Sequence, residues 1–390
     1  MDHIQGQPHA LDQLAAQLAS GRVHHAQIFH GPPGVGKFTT ALAFARVLLC
    51  HTPEQSLAGQ VMACGGCPSC RLLPSTPGND EDGAPATDAS GGHPDLHIVN
   101  KELARYSDDR QIRDRKLTSI PVDVLRTALI EPAYRGAQLN HGKVFVVDEA
   151  ELLNPAGQNA LLKTLEEPPT HEIAAVAPGS GAGGTFIILV TAHEDRLLPT
   201  IRSRCQRTAF VPLPDEVLDR FLQEYAAQLE PVERSWLVGF AQGSLGRARL
   251  VLDYGLTEWA RVVLAQLEQL ARGRAVPTLG ADMAERINGF AEAWVKNHDN
   301  ASKEAANKQA AGLMFSLVAV HARQEIDRLA ATCDPAGPDA AEATLTPWLD
   351  VIAALGVAES RLGSNVNLGL VCDGLASQIA LALRRPAVRP

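Results

Sequence analysis

The stretch AQIFHGPPGVGKFT, residues 26–39, decides the fold of the front of this chain. Its first residues are apolar and typical of a buried strand, and the residues that follow it have the apolar pattern of a helix. Between them lies a glycine-rich loop that ends in Lys37. A strand, such a loop and a helix in this order are typical of a phosphate-binding loop. The alternative interpretation is an ordinary Gly-Pro turn between strand and helix.

The loop residues that would bind a nucleotide phosphate are Gly31, Gly34, Gly36 and Lys37. Glycines let backbone N–H groups close around phosphate oxygens, and the helix N-terminus that follows favours negative charge. Lys37 would supply the positive charge for the β and γ phosphates.

The position after this lysine normally carries a Ser or Thr whose hydroxyl holds magnesium, but here it is Phe38. Thr39 is the nearest hydroxyl, and one helical residue turns it about a quarter of a circle away. The sequence therefore predicts a loop that binds phosphate and supports hydrolysis poorly.

A second motif, KVFVVDEA over residues 143–150, is an apolar strand that ends in two carboxylates. This is the usual form of a Walker B element, in which Asp148 would hold magnesium and Glu149 would orient the attacking water. Taken alone, an acidic pair at a strand end is equally consistent with a helix cap. The phosphate loop upstream favours the functional interpretation.

Strand-like and helical patterns alternate up to about residue 212, and helical patterns dominate after Pro214. This order predicts an α/β domain, a parallel sheet with helices on both faces, followed by an all-helical part. Three strands are predicted, over residues 26–29, 143–147 and 186–190. Two stretches rich in Gly, Pro and Ser indicate flexible insertions, over about 74–118 and 171–184.

The chain of 390 residues has 45% hydrophobic and 20% charged residues, which is typical of a soluble protein with two or three domains. A net charge of −9 argues against a protein that coats nucleic acid unaided. No apolar run approaches a membrane span and the N-terminus has no signal-like pattern, so we expect a cytoplasmic protein.

Four of the seven cysteines fall close together, at Cys50, Cys64, Cys67 and Cys70. In a reducing cytoplasm this spacing indicates metal before disulfide. Four thiolates suit tetrahedral zinc and leave no open position for substrate, so we predict a structural zinc knob over residues 50–70. The alternative is four unrelated cysteines in a glycine-rich loop.

Two further stretches, NALLKTLEEPP (159–169) and LPTIRSRC (198–205), resemble the bacterial clamp-loader subunits of DNA polymerase III, in the AAA+ family. The resemblance also covers the phosphate loop, the cysteine insertion and the Asp-Glu strand. It implies a ring of five related subunits that loads the sliding clamp onto primed DNA. The implied domains are an AAA+ domain over 1–212, a helical lid over 213–275 and a helical collar over 276–390.

The resemblance also implies roles for two residues of the front domain. Arg204, in the Ser-Arg-Cys element, is implied to reach across a subunit interface to the neighbour's ATP as a trans arginine finger. Thr191 is implied to be sensor 1, which reports on the γ-phosphate. The bland alternative for such arginines, an ion pair or a helix cap at the surface, applies to Arg202 and Arg207.

The family contains motor subunits (gamma/tau), which hydrolyse ATP, and a delta-prime subunit, which mainly donates its arginine. Phe38 favours delta-prime, and so does Gly246, which stands in GSLGR (243–247) where motor subunits carry the sensor 2 arginine. Lys37, Asp148 and Glu149 are intact and leave nucleotide binding open. The first rival hypothesis is a self-sufficient AAA+ ATPase, either the motor subunit or a related DNA-remodelling enzyme. The second is a pure scaffold that binds no nucleotide.

Overall fold

The computed structural model describes residues 4–56, 60–73, 92–107, 110–113, 119–139, 141–169, 184–298, 301–332, 338–364 and 366–384. Two compact units divide the chain. The first comprises Met1–Glu224 together with Gln242–Gly246, and the second comprises Tyr225–Ala241 and Arg247–Pro390.

A five-stranded parallel sheet, in the order β4-β5-β6-β1-β7, forms the centre of the first unit. A short antiparallel pair, β2 and β3, lies in the predicted zinc knob. The strands are β1 (Ala26–His30), β2 (Glu54–Gln55), β3 (Val61–Met62), β4 (Leu96–Val99), β5 (Lys143–Val147), β6 (Thr185–Thr191) and β7 (Gln206–Ala209).

The central strands are buried on both faces, as the continuous apolar runs of the sequence predict. Successive side chains of a strand point to opposite faces, so β5 contributes to two separate cores. Val144 and Val146 pack into one apolar cluster with α2, while Phe145 and Val147 pack into the cluster on the other face. The predicted fold, a parallel sheet with helices on both faces, is confirmed.

Along the chain, most helices of the first unit fall between these strands. They are α1 (Pro8–Ser20), α2 (Lys37–Leu48), α3 (Pro68–Leu72), α4 (Arg110–Arg113), α5 (Val122–Leu125), α6 (Glu131–Ala133), α7 (Pro155–Glu166), α8 (Pro199–Arg202) and α9 (Asp215–Tyr225), whose last residue belongs to the second unit. Short 3₁₀ turns cover Lys101–Tyr106, Ala150–Leu152 and Glu194–Arg196, and a π-helical turn, Arg126–Ile130, joins α5 to α6.

The predicted insertion over 74–118 needs one correction. Residues 96–99 form β4, an edge strand of the sheet that pairs in parallel with β5, and Leu96 and Val99 are buried. A strand of four residues gives too short an apolar pattern to stand out beside the polar residues around it. The described part of this stretch also contains the 3₁₀ turn Lys101–Tyr106 and α4 (Arg110–Arg113). Residues 74–91, 108–109 and 114–118 lie outside the described residues, as do 171–183 of the second insertion.

The second unit is helical throughout its described residues. Its helices are α10 (Pro231–Ala241), α11 (Leu245–Asp253), which begins in the first unit, α12 (Thr257–Ala271), α13 (Leu279–Asn297), α14 (Lys303–Thr332), α15 (Pro338–Gly363) and α16 (Leu368–Leu383). The all-helical back of the chain is therefore confirmed. Its division into a lid over 213–275 and a collar over 276–390 stays a prediction. Among the described helices none combines the length and the apolar character that a membrane crossing requires.

Candidate functional site

The predicted phosphate loop connects β1 to α2 at the carboxyl edge of the sheet. β1 lies between β6 and β7, two strands that are far from it in the sequence, and such crossover points are where open α/β sheets bind ligands. Gly34 and Gly36 have φ angles of 74° and 95°, which side chains rarely tolerate, so the glycines of the motif are required by the backbone. A side chain at Gly31 would also overlap the backbone carbonyl of Phe210.

Lys37 is buried and folds back onto the loop that precedes it. Its Nζ donates to the carbonyl oxygens of Gly31, at 2.7 Å, and Pro32, at 2.6 Å. Burial lowers the pKa of Lys37, while the nearby Glu151 and Asp148 carboxylates oppose that shift. Contact with a nucleotide phosphate would require the ammonium to exchange these two carbonyls for phosphate oxygens.

The other carbonyls of the loop also accept hydrogen bonds from this chain. Ser244 Oγ donates to Pro33 at 2.8 Å, the Gly246 N–H donates to Gly34 at 3.0 Å, and the side-chain amide of Gln7 donates to Val35 at 3.2 Å. Segment 242–246, which belongs to the first unit, therefore holds the loop from outside. Sequence reasoning singled out Gly246 for a missing arginine and missed these contacts.

Position 246 has a steric reason to be glycine. A Cβ at Gly246 would lie 2.9 Å from the Cα of Gly34, and a Cβ at Gly34 would lie 2.9 Å from the Cα of Gly246. Backbone atoms at that separation cannot move aside without reshaping the loop. An arginine at 246 is therefore incompatible with this arrangement of the loop.

Phe38 and Thr39 follow the lysine in the first turn of α2. Phe38 is partly buried and packs against the apolar cluster on the α1 and α2 face of the sheet, so its ring has a structural role there. Thr39 is half-buried, and the hydroxyl of the next residue, Thr40, donates to the Gly36 carbonyl at 2.8 Å. Assignment of Thr39 to a nucleotide site stays a prediction.

Asp148 lies directly after β5, on the same edge of the sheet as the phosphate loop. Its Oδ1 accepts the backbone N–H of Glu149 at 3.0 Å. Burial, with the adjacent Glu149 and Glu151 carboxylates, raises the pKa of Asp148 to about 6, although Lys37 and the Glu149 N–H act in the opposite direction. An acidic group held this way is well suited to a cation, because a bound cation would offset the cost of its charge.

We expect Asp148→Asn to stabilise the magnesium-free chain at alkaline pH. The folded-state pKa lies above the ordinary 3.8, so proton binding favours the folded state; that contribution is complete below about pH 4 and is lost as the pH rises through about 6. The neutral amide avoids the cost of the buried charge, which amounts to at most about 3 kcal/mol at pH 8. Urea unfolding at pH 5 and pH 8 measures this, with the exposed Asp195→Asn as control. An Asp148→Asn variant less stable than wild type at pH 8 would contradict the prediction.

Glu149, the predicted water-orienting carboxylate, is engaged by a lysine. Its Oε2 lies 2.7 Å from Nζ of Lys101, the first residue of the 3₁₀ turn after β4, and its backbone has a φ of 50°. Lys101 belongs to no motif of the sequence, and it is the pairing of β4 with β5 that places it beside Glu149. The ion pair between Glu149 and Lys101 must break before the Glu149 carboxylate can orient a water molecule.

Thr191, the predicted sensor 1, is the last residue of β6 and lies opposite His30 in β1. It is buried, and its Oγ1 accepts the backbone N–H of His193 at 3.0 Å. Nearby, Glu194 joins His30 Nδ1, at 3.1 Å, to Arg207, at 3.0 Å. The structure thus brings Thr191, Asp148 and the phosphate loop to one edge of the sheet.

The four predicted zinc ligands come together between α2 and α3. Each of Cys50, Cys64, Cys67 and Cys70 offers a sulfur, and these sulfurs all lie within 4.8 Å of one another. A tetrahedral zinc with Zn–S distances of about 2.3 Å separates its sulfurs by roughly 3.8 Å, and the Cys50 and Cys64 sulfurs are 3.6 Å apart. The donor set and its spacing therefore fit zinc.

The backbone of the knob also favours thiolates. N–H groups of residues 64, 67 and 70 donate to the sulfurs of Cys50, Cys64 and Cys67 at 3.3 to 3.4 Å. A hydrogen bond from Thr52 is the largest cause that lowers the pKa of Cys64, to about 6. Burial is the largest cause that raises the pKa of Cys50 and of Cys70, whereas a bound metal would favour their thiolates.

Arg204 lies at the amino ends of the parallel strands, whereas the phosphate loop lies at their carboxyl ends. It precedes β7, whose first residue Gln206 pairs with Gln27 near the start of β1, whereas the loop follows the end of β1. Its Nε donates to Glu166 Oε1 at 2.6 Å, its Nη2 pairs with the same oxygen, and its Nη1 donates to the Thr200 carbonyl at 2.9 Å. The side chain remains 35% exposed.

This sheet, with a phosphate loop after β1 and an Asp-Glu pair after β5, defines a P-loop protein of the AAA+ class. Comparison of the sequence with known families gives a more specific assignment than the fold class. The chain belongs to the family described as "DNA polymerase III, delta subunit", whose model matches residues 6–214. The resemblance to the bacterial clamp-loader subunits is thereby confirmed.

Curated relatives include gamma/tau and delta' subunits of DNA polymerase III. The chain is 33% identical over 229 residues to the DNA polymerase III subunit gamma/tau of Mycobacterium tuberculosis, a match that covers 58% of this chain and 31% of the relative. It is 31% identical over 261 residues to the delta' subunit of Pseudomonas aeruginosa, covering 66% of this chain and 65% of the relative. For the Escherichia coli K12 delta' subunit the identity is 31% over 255 residues, covering 65% and 62%.

The matches therefore span about a third of the gamma/tau relative and just under two thirds of the delta' relatives. Among solved structures, the gamma subunit-related protein of Thermotoga maritima is 16% identical with a TM-score of 0.40, and the match covers 96% of this chain and all of that one.

Proposed function

We propose that this chain is a delta-prime-type subunit of the bacterial replicative clamp loader. It takes a place in a ring with motor subunits and donates Arg204 to the ATP bound by one neighbour. Through the assembled ring it assists the loading of the sliding clamp onto primed DNA. Its zinc is structural, and its own hydrolysis of ATP is weak or absent.

The observation that carries this proposal is the position of Arg204 relative to the chain's own phosphate loop. β7 separates the two and spans roughly 10 Å, and Arg204 stands before it while the loop contacts Phe210 beyond its far end. An arginine at the amino ends of the strands is too far from the phosphate loop of its own chain to reach a nucleotide there. If it stabilises a transferring phosphoryl group, that group belongs to another subunit.

Two features of the loop support weak hydrolysis by the chain itself. Phe38 supplies no hydroxyl for magnesium, and Gly246 packs so closely on Gly34 that a sensor 2 arginine has no room there. The second candidate function, a motor subunit of the gamma/tau type, is favoured by the retention of Lys37, Asp148 and Glu149. Turnover measurements distinguish the two.

We expect the isolated chain to hydrolyse ATP far below about 1 s⁻¹, the lower end of typical turnover numbers. Phe38 would leave magnesium without its P-loop ligand, so the charge that develops on the phosphates would be less well neutralised, even if Lys37 retains weak nucleotide binding. The measurement is steady-state phosphate release by the pure chain, paired with equilibrium binding of ATP.

The control is the motor subunit of the same organism, alone and mixed with this chain and the remaining ring subunits. Robust turnover by the pure chain would identify it as a motor subunit instead. A mixture that neither forms a ring nor gains clamp-stimulated hydrolysis would reject the proposed function in both forms.

A further inference from the structure

The guanidinium of Arg204 is anchored along two of its edges. Glu166 Oε1 accepts from Nε at 2.6 Å and also pairs with Nη2, and the Thr200 carbonyl accepts from Nη1 at 2.9 Å. The side chain of Arg204 therefore has an orientation defined by two different helices, α7 and α8.

These contacts leave some N–H groups of the guanidinium available. An arginine has five N–H groups, one on Nε and two on each terminal nitrogen. Since each terminal nitrogen makes one contact, at Glu166 or at Thr200, each keeps one further N–H. Charge-assisted hydrogen bonds from guanidinium N–H groups are the strong contacts by which arginine binds phosphate.

The carboxylate that holds Arg204 stands on a firmly packed element. Glu166 is the last residue of α7, and Leu161 and Leu165 of that helix are buried in the apolar cluster on its face of the sheet. His25 Nε2 lies 2.7 Å from the Leu165 carbonyl oxygen and ties the end of α7 to the start of β1. A cation is also favoured at a helix C-terminus by the helix dipole.

The pair is suited to orient the arginine rather than to withhold it. Glu166 is 47% exposed and Arg204 35%, and an ion pair this exposed shifts an equilibrium by at most about a factor of five. Such a contact cannot compete with the attraction of a fully charged phosphate for the same guanidinium. It is sufficient, however, to select one conformation of a long and flexible side chain.

We propose that Glu166 is a positioning residue for the trans arginine: it holds Arg204 so that the remaining N–H groups of the guanidinium face the neighbouring subunit before ATP arrives. This inference rests on the proposed function, because it gives Glu166 a role only if Arg204 acts on a neighbour's phosphate. Preorganised charge accelerates a reaction without reorganisation at the moment of transfer. Loss of Glu166 should then reduce the rate of the chemical step and leave ATP binding unchanged.

The test is Glu166→Gln in a ring with wild-type motor subunits, with Glu167→Gln as the matched control. Glu167 is the adjacent carboxylate, and its replacement changes the net charge by the same amount. We expect Glu166→Gln to lower kcat for clamp-stimulated hydrolysis by about two- to fivefold, the most that so exposed an ion pair can contribute to the orientation of Arg204. KM for ATP and ring composition should stay as in wild type, and Glu167→Gln should change none of these quantities.

A second arm repeats Glu166→Gln in the Arg204→Ala background, where a residue that acts only through Arg204 has no further effect. An unchanged or increased kcat in the Glu166→Gln ring would overturn the inference, and so would an equal loss in the Arg204→Ala background. If Arg204→Ala itself leaves the rate unchanged, the proposed function fails. If Arg204→Ala slows the ring while Glu166→Gln does not, the inference alone fails.

Discussion

Replacing Arg204 with alanine is expected to slow ATP hydrolysis at the neighbouring site by roughly 10³- to 10⁵-fold, the contribution of an arginine supplied in trans. The guanidinium would stabilise the charge that develops on the γ-phosphate, and alanine leaves that charge without a partner. Folding and ring assembly should survive, because the side chain is partly exposed and its described polar contacts are confined to Glu166 and Thr200.

The effect should appear in the assembled ring and not in this chain alone. If several sites in the proposed ring hydrolyse ATP, loss of one arginine should slow clamp loading onto primed DNA more than total ATP turnover. The assay combines wild-type motor subunits with the Arg204→Ala chain and measures both rates in rings of verified composition. Arg272→Ala is the control, because Arg272 is an exposed arginine that likewise pairs with a glutamate of its own chain, Glu268, and belongs to no predicted site. Normal rates of hydrolysis and clamp loading in Arg204→Ala rings would show that Arg204 is a surface residue with no role at the neighbouring site.

Loss of the zinc knob is expected to have the second large effect. We expect one zinc per chain, and we expect Cys67→Ser to abolish tight zinc binding and to lower the free energy of unfolding by on the order of several kcal/mol, because structural zinc contributes directly to folding. Cys67 Sγ also caps α3 by accepting the Cys70 N–H. Serine is among the preferred N-cap residues, so the substitution keeps a cap at this position while it removes the metal ligand.

Destabilisation should extend beyond the knob. Cys50 lies two residues after the end of α2, the helix that starts at Lys37, and Ser69 Oγ donates to the Leu49 carbonyl at 2.7 Å. Metal analysis of protein purified without chelator, followed by urea unfolding, measures both quantities. Cys372→Ala, at a buried cysteine of the second unit, serves as the control and should keep its zinc. Wild-type protein that contains no zinc would contradict the prediction.

The sequence by itself determined the elements whose signals are local. The continuous apolar runs of β5 and β6, the glycines before Lys37 and the paired Cys-x-x-Cys spacings each follow from residues within a few positions of one another. Strand patterns and loop conformation are set by neighbouring residues, so a single sequence is enough to read them. Even so, β4 escaped detection, because its four residues become a strand only beside β5.

Only the tertiary structure decided how the site residues are held. Arg204 binds a glutamate 38 positions earlier, Ser244 binds a carbonyl 211 positions earlier, and Lys101 reaches Glu149 from the neighbouring strand. No periodicity or spacing encodes such pairs, because strand order and helix packing bring them together after the local elements have formed. For the same reason, the sequence marked Gly246 as a missing arginine, while the packed chain gives the steric cause: a Cβ there would lie 2.9 Å from the Cα of Gly34.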